Sequence, residues 1–316
     1  MKIMFHKFVT FVQYLPEQIN PNISLGFFSV SWYSLMYLIG FFVVYCLVKY
    51  RINKAEYEGL KIPNDKFQIS NNPPAGGQNS PPEADQPMAE KSKTESLLLD
   101  FLLYAFIGLV IGARLGEVFF YNFSYYAAHP MQIISPFDPV TGKFIGIYGM
   151  SYHGGFIGVI IASIVFCRKF RINFWNWANF VVPAIPLGYF FGRIGNFING
   201  ELYGRVTGQW WGMYFPNDAT QKLRHPSQLY EAFLEGVLLF LILWPLRNKK
   251  WARDNMLALY VTSYAIARII SEFFREPDGF LWFLTLGQFY SLLMIAAALA
   301  VFLNSRKSDI IREEKK

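Results

Sequence analysis

In the run Gly192-Arg193-Ile194-Gly195-Asn196-Phe197-Ile198-Asn199-Gly200-Glu201-Leu202-Tyr203-Gly204-Arg205, two arginines, two asparagines and a glutamate emerge from a strongly apolar segment. An ionisable side chain in such a setting is costly, roughly 2.5 to 3.5 kcal/mol for an arginine at the centre of a membrane span, so it marks a site facing protein or water. A lone arginine could snorkel to a headgroup, but this one comes with amides, a carboxylate and glycines. Arg193 and Asn196 are three apart and share a helix face, as do Tyr264 and Arg268, four apart. Two arginines in one apolar chamber ask for an anion, and the planar guanidinium fork suits a phosphate. Glu201, Glu231 or Glu272 could instead neutralise them, leaving the arginines as braces between helices. His153, in Tyr152-His153-Gly154-Gly155, is either a packing donor or a proton acceptor.

The elements that must position these residues are membrane spans. Of 316 residues, 53% are hydrophobic, 19% aromatic and only 16% charged, the composition of a polytopic membrane protein rather than a hydrated globule. The formal charge of +7 does not point to nucleic acid, because the lysines and arginines sit in short blocks between apolar runs, as topology signals do. Cys46 and Cys167 lie near the ends of apolar runs, with no His or Cys at ligand spacing, so neither a disulfide framework nor a zinc site is supported.

In chain order, Met1 to Leu15 carries Lys2, His6 and Lys7 and has no small-residue cleavage site, which fits an interfacial amphipathic helix better than a signal peptide. Residues 1–31 form this outer segment. The first span, about Trp32 to Val48, ends in Lys49, Arg51 and Lys54, so 32–60 is a helix with its cytoplasmic end. Residues 61–96, rich in Pro, Asn, Ser and charge, read as a disordered cytoplasmic linker. The core, 97–305, holds further spans at about Leu97–Phe120, Met150–Phe166, Trp175 onward, Leu229–Leu246, Met256–Phe274 and Leu284–Leu303. The fourth is interrupted by Pro183, Pro186 and several glycines, and 201–228 forms a small extracytoplasmic subdomain with short strands. A tail, 306–316, closes the chain. The expected fold is thus all-α and polytopic, with about seven transmembrane helices, the N-terminus outside and the C-terminus cytoplasmic.

That topology gathers the polar residues in one layer. At 1.5 Å per residue, Arg114 lies roughly 17 residues into the second span and Arg268 roughly 12 into the sixth, both between midplane and outer interface. Tyr33, His153, Arg193, Asn196, His225 and Gln288 fall at the same level, while the cytoplasmic halves are nearly free of charge.

On these residues the sequence resembles the bacterial prolipoprotein diacylglyceryl transferase family. The similarity runs through Gly192 to Gly204, Trp32 to Tyr37, Gly112-Ala113-Arg114-Leu115-Gly116, Gly149 to Gly155, His225-Pro226-Ser227-Gln228-Leu229-Tyr230-Glu231 and Tyr264 to Asp278, spanning the whole membrane portion. The 61–96 linker is longer, and the segment between Gly204 and His225 shorter, than the resemblance leads one to expect.

The resemblance implies an enzyme of the bacterial cytoplasmic (inner) membrane. It moves the diacylglyceryl group of phosphatidylglycerol onto the thiol of the lipobox cysteine in a prolipoprotein signal peptide, releasing glycerol phosphate, without cofactor or metal. It implies His153 as the base for the thiol, which is a poor nucleophile until deprotonated, with Tyr33 or Tyr264 as hydrogen-bonding supports. Arg193, Arg268 and Asn196 would hold the phosphate as charge develops, Glu201 would orient Arg193, and Gly204 belongs to the same lipid-binding motif. Membrane lipids are the other partners. Two competing readings are a transporter or flippase for an anionic lipid, which would place polar residues on both faces, and a lipid-binding scaffold without chemistry, which would make His153→Gln harmless.

Overall fold

The computed structural model describes residues 2–25, 28–54, 56, 86–137, 141–142 and 149–313. It is mostly helical and divides into two compact units, Met1–Val48 with Ala178–Lys316, and Lys49–Trp177.

In the first unit, α1 (Lys2–Gln13) and the short α2 (Leu15–Gln18) lead into the two-stranded antiparallel β1 (Asn22–Leu25) and β2 (Phe28–Ser31), which register Asn22 with Ser31. The helix expected of the first residues is present, and the hairpin after it was not foreseen. Phe5, Phe8 and Phe11 of α1 are exposed, whereas Val12, Leu15 and Ile19 pack on Phe197, Met213 and Phe215. The first apolar helix, α3 (Trp32–Asn53), starts in this unit and ends in the other.

The second unit is built on α4 (Gln86–Gly116), prolonged by a π-helical turn Glu117–Tyr121, then α5 (Phe123–Ala128) and α6 (Tyr152–Lys169). Residues 57–85 lie outside the described residues. Helix begins at Gln86, inside the stretch that composition assigns to a linker, because Met88 to Ser96 is rich in the good helix formers Ala, Glu and Lys; Thr94 and Leu97 are already buried. α4 and α6 touch backbone to backbone. A Cβ at Gly112 would sit 2.4 Å from the Gly154 carbonyl oxygen, and one at Gly158 would sit 2.0 Å from that of Gly108.

The fourth apolar segment is α7 (Phe174–Val181), a 3-10 turn Val182–Ala184 and α8 (Ile185–Ile198). The prolines produce the interruption expected: each sits at the start of a helical piece, where its missing N–H has no intrahelical acceptor to serve. α9 (Ser227–Glu231) runs through a π-helical stretch Ala232–Leu238 into α10 (Leu239–Leu246), followed by α11 (Lys250–Arg253) and α12 (Met256–Ser271). A two-residue ladder, β3 (Phe280–Leu281) with β4 (Leu284–Thr285), precedes α13 (Leu286–Glu313). Between α8 and α9 the chain forms only isolated bridges, Val206 and Met213 both pairing with Arg224.

Among the described residues five helical runs are long and apolar enough to cross a membrane: Trp32–Asn53, Ser92–Tyr121, Phe174–Ile198, Ser227–Leu246 and Leu286–Leu303. They fall on the first, second, fourth, fifth and seventh expected spans. The third and sixth fall on α6, 18 residues, and α12, a shorter apolar helix of 16. The chain is therefore a multi-pass, helical membrane protein.

Candidate functional site

α8 stops at a position that only glycine fills easily. Gly200 has φ +65°, and the N–H groups of Gly200 and Glu201 donate to the carbonyls of Phe197 and Asn196 at 3.0 and 3.1 Å. This is the left-handed helix end in which two otherwise unsatisfied carbonyls are capped. The reversal returns the Glu201 carboxylate to Asn196, whose Nδ2 donates to it at 2.8 Å. The Asn196 amide oxygen in turn accepts from Nη1 of Arg193 at 3.3 Å. Gln228 fixes the turn from α9 by donating to the Glu201 carbonyl at 2.6 Å. The relation expected between Glu201 and Arg193 thus runs through Asn196.

Arg193 and Arg268 meet at a single atom. Oε2 of Glu231, a fully buried side chain on α9, lies 3.0 Å from Nε of Arg193 and 3.0 Å from Nη1 of Arg268. Its other oxygen is 3.4 Å from Nη1 of Arg275. Arg268 also donates through Nη2 to Glu272, one turn further along, at 2.6 Å. Glu272 accepts a second bond from Thr285 at 2.8 Å, and a Cβ on Gly287 would fall 2.2 Å from its Oε1, so a glycine is needed for that carboxylate to lie where it does. Glu235, four residues after Glu231 and equally buried, accepts from Tyr189 at 2.5 Å and Ser271 at 2.7 Å. Three guanidiniums and three buried glutamates therefore share one shell. A buried charge persists only when paired, and the ion pairing expected of Glu231 and Glu272 is present. The carboxylates brace the arginines, and Arg193 and Arg268 keep 11% and 14% of their side chains open.

Tyr33 packs on Gly195, where a Cβ would be 3.2 Å from its ring, and its hydroxyl is 3.0 Å from that of Tyr37. Tyr264 sets its ring edge-on to Tyr189, centroids 5.8 Å apart. Gly204 lies against backbone: its N–H donates to the His225 carbonyl at 2.8 Å, and a Cβ there would be 2.3 Å from the Phe274 carbonyl oxygen. It holds the strand-like pairing with Arg275 and closes the floor of the site. A cleft of about 270 Å³ opens beside it, lined among others by Glu201, Tyr203, Asn217, Arg275 and Asp278.

In the other unit, His153 begins α6 and is exposed, with Nδ1 3.1 Å from the Tyr121 hydroxyl. Ser151 caps that helix by accepting from Gly154 at 3.1 Å. Arg114 donates to the carbonyls of Ile133 at 2.7 Å and Gly149 at 3.1 Å and lies over the Tyr126 ring, tying down the segment after α4.

Glu235, Tyr189, Ser271, Arg275 and Gly287 were not anticipated. The one available signal was the spacing of Glu231 and Glu235, two carboxylates four apart in an otherwise apolar helix, which places both on one face. In the subdomain, Asp218 takes a two-pronged grip from Arg224, Nε to Oδ2 at 2.8 Å and Nη2 to Oδ1 at 3.2 Å. The Arg224 hydrogen bonds hold its carboxyl well below the usual carboxylate range. Burial lowers the His225 imidazole below its ordinary value.

The family model described as prolipoprotein diacylglyceryl transferase matches residues 83–304. A phosphatidylglycerol--prolipoprotein diacylglyceryl transferase of Chlorobaculum tepidum is 41% identical over 307 residues, covering 95% of this chain and 94% of its own length. Proteins of the same name from Campylobacter jejuni and Desulfotalea psychrophila are each 39% identical, covering 91% and 92% of this chain and 95% and 94% of their own.

Proposed function

The chain belongs to the prolipoprotein diacylglyceryl transferase family, and on that premise we propose that Arg193 and Arg268, drawn together on Glu231, hold the phosphate of phosphatidylglycerol during transfer. The protein is a transferase that passes the diacylglyceryl group from phosphatidylglycerol to prolipoprotein in lipoprotein maturation. The acceptor is the thiol of a lipobox cysteine. His153 takes the thiol proton, the sulfur forms a bond to the glyceryl carbon, and the bond from that carbon to the phosphate oxygen breaks. The leaving group, glycerol phosphate, keeps the electron pair. A preorganised cation pair is most useful at that moment, since it needs no reorganisation as charge develops. Asn196 donates to the same group and is itself aligned by Glu201. Tyr33 and Tyr264 support the helices that carry the arginines, and Gly204 lets the following turn close on them.

The observation that carries this reading is the shared oxygen of Glu231, 3.0 Å from a nitrogen of each arginine. Arg193 is engaged through Nε and Nη1 and keeps Nη2 for the phosphate, with Arg268, itself held by Glu272, beside it. The expected arrangement has seven spans, the five long apolar helices with α6 and α12, in the bacterial cytoplasmic membrane. Its N-terminus is outside and its C-terminus inside, following the basic clusters at the helix ends. The site then sits level with outer-leaflet headgroups.

The test is mass spectrometry of a lipobox-cysteine peptide incubated with phosphatidylglycerol and the purified protein. A diacylglyceryl increment on cysteine is expected, and it is lost in Arg193→Ala. An increment that persists at full rate in His153→Gln would remove that residue as the base while leaving the enzyme class intact.

A further inference from the structure

Among three arginines, the carboxylate of Glu235 makes its hydrogen bonds to hydroxyl groups. Its Oε2 receives Tyr189 at 2.5 Å and its Oε1 receives Ser271 at 2.7 Å, while the nearest guanidinium nitrogen, Nη1 of Arg268, stays 3.9 Å away. Glu235 is fully buried on the π-helical stretch, and such widened turns are frequent where a helix must aim a functional side chain. A phenol has one hydrogen. With that hydrogen committed to Glu235, the Tyr189 oxygen can only accept from its other neighbour, and that neighbour is Arg193, whose Nε donates at 2.6 Å. The guanidinium also lies over the same ring, its carbon 4.9 Å from the centroid.

We propose that Glu235 is a positioning residue for Arg193, acting through the hydroxyl of Tyr189. The relay decides which edge of the guanidinium meets a ligand. Among the described residues, the hydrogen bonds of Arg193 leave from Nε to Tyr189 and from Nη1 to Asn196. With Nε and Nη1 so engaged, Nη2 is the nitrogen the relay leaves to meet the phosphate. Glu231 contributes charge at 3.0 Å from Nε but serves Arg268 with the same oxygen, so it fixes the distance between the arginines and not the rotation of either. Hydrogen bonds in series polarise one another in a dry setting, which makes the carboxylate end of the chain matter to its guanidinium end. Ser271 extends the device to α12: its hydroxyl lies 3.0 Å from the carbonyl of Arg268 as well as 2.7 Å from Glu235. The turns that bear the two arginines are thus referred to one carboxylate.

This inference rests on Arg193 as a phosphate-holding residue, and the experiment separates the two. The purified enzyme in phosphatidylglycerol-containing micelles is assayed with a lipobox peptide as Tyr189→Phe, Glu235→Gln, the double variant and Arg193→Ala. Kinetic constants for phosphatidylglycerol are measured beside thermal unfolding. Loss of one hydrogen bond to a charged group corresponds to about a tenfold effect, expected as a rise in KM for phosphatidylglycerol in Tyr189→Phe. A smaller folded fraction would lower kcat and leave KM alone. The double variant should be no worse than the worse single, because both cut the same relay. Should Glu235→Gln fail to fold, Tyr189→Phe decides alone. An unchanged KM in Tyr189→Phe, or losses that multiply in the double variant, overturns the relay. Full activity in Arg193→Ala would instead overturn the reading beneath it.

Discussion

Two arginine sites in the same unit meet their carboxylates in opposite ways. In the subdomain, Arg224 is taken up by two carboxylates: both oxygens of Asp218 face its guanidinium, Glu276 accepts from its Nη1 at 3.0 Å, Thr220 adds a bond at 2.7 Å, and Asp218 is 2% exposed. Around Glu231 the proportion is reversed, with one oxygen between two arginines and a third arginine on the other oxygen. An arginine whose nitrogens face carboxylates in this way is a brace. A carboxylate shared among several guanidiniums holds them in place while leaving donors over. Burial of an arginine is therefore a poor guide to function; the two sites differ in whether a carboxylate is gripped by one guanidinium or shared among several.

The contrast is sharpest in the rate. Arg193→Ala should lower transfer on the order of 100-fold or more, the loss expected of a donor to developing charge, read as diacylglyceryl incorporation per folded enzyme. Arg224→Ala should leave kcat and KM near those of the unaltered protein in the molecules that fold. The same pair reverses in stability: removing one partner of a buried ion pair costs about 3–5 kcal/mol, so Arg224→Ala should unfold at markedly lower temperature. Equal rate losses in the two variants would erase the distinction. Glu231→Gln should show both effects at once, an intermediate loss of activity and a lowered unfolding temperature, since it leaves guanidiniums facing each other.

Acid provides a smaller effect. The Asp218 carboxyl is held below its unfolded range, so its contribution is present above the unfolded pKa near 3.9 and is lost as pH falls through the depressed folded value. The unaltered protein should lose stability on acidification below that point, and Asp218→Asn should lose less. Smallest is His225, whose pKa burial lowers. Protonation then favours the unfolded chain, so stability falls as pH drops below about 6.5. Thermal unfolding of His225→Gln between neutral and mildly acid pH should show a flatter profile.

The apolar helices were legible because a bilayer allows few alternatives, and the proline interruption before α8 was legible because proline has no N–H. The link from Arg193 through Asn196 to Glu201 was legible because it is local, closed by the Gly200 reversal. Glu235, Tyr189 and Ser271 were not, because their partners lie 36 and 46 residues away along the chain and each alone looks like ordinary helix content. The start of α4 was obscured for a different reason: Pro and charge dominate the composition up to Asp85, and the helix formers just after them were averaged into the same window. Gly204 had the opposite fate, a motif residue whose surroundings are main-chain carbonyls.

The contact between α4 and α6 has one more consequence. Where two helices meet through Gly108, Gly112, Gly116, Gly154 and Gly158, most of the nearest atoms are main chain, with the Cβ of Ala162 and the side chain of Ser151 beside them. A side chain larger than hydrogen at Gly112, Gly154 or Gly158 would therefore have to push the two backbones apart, and His153 stands at the start of one of them.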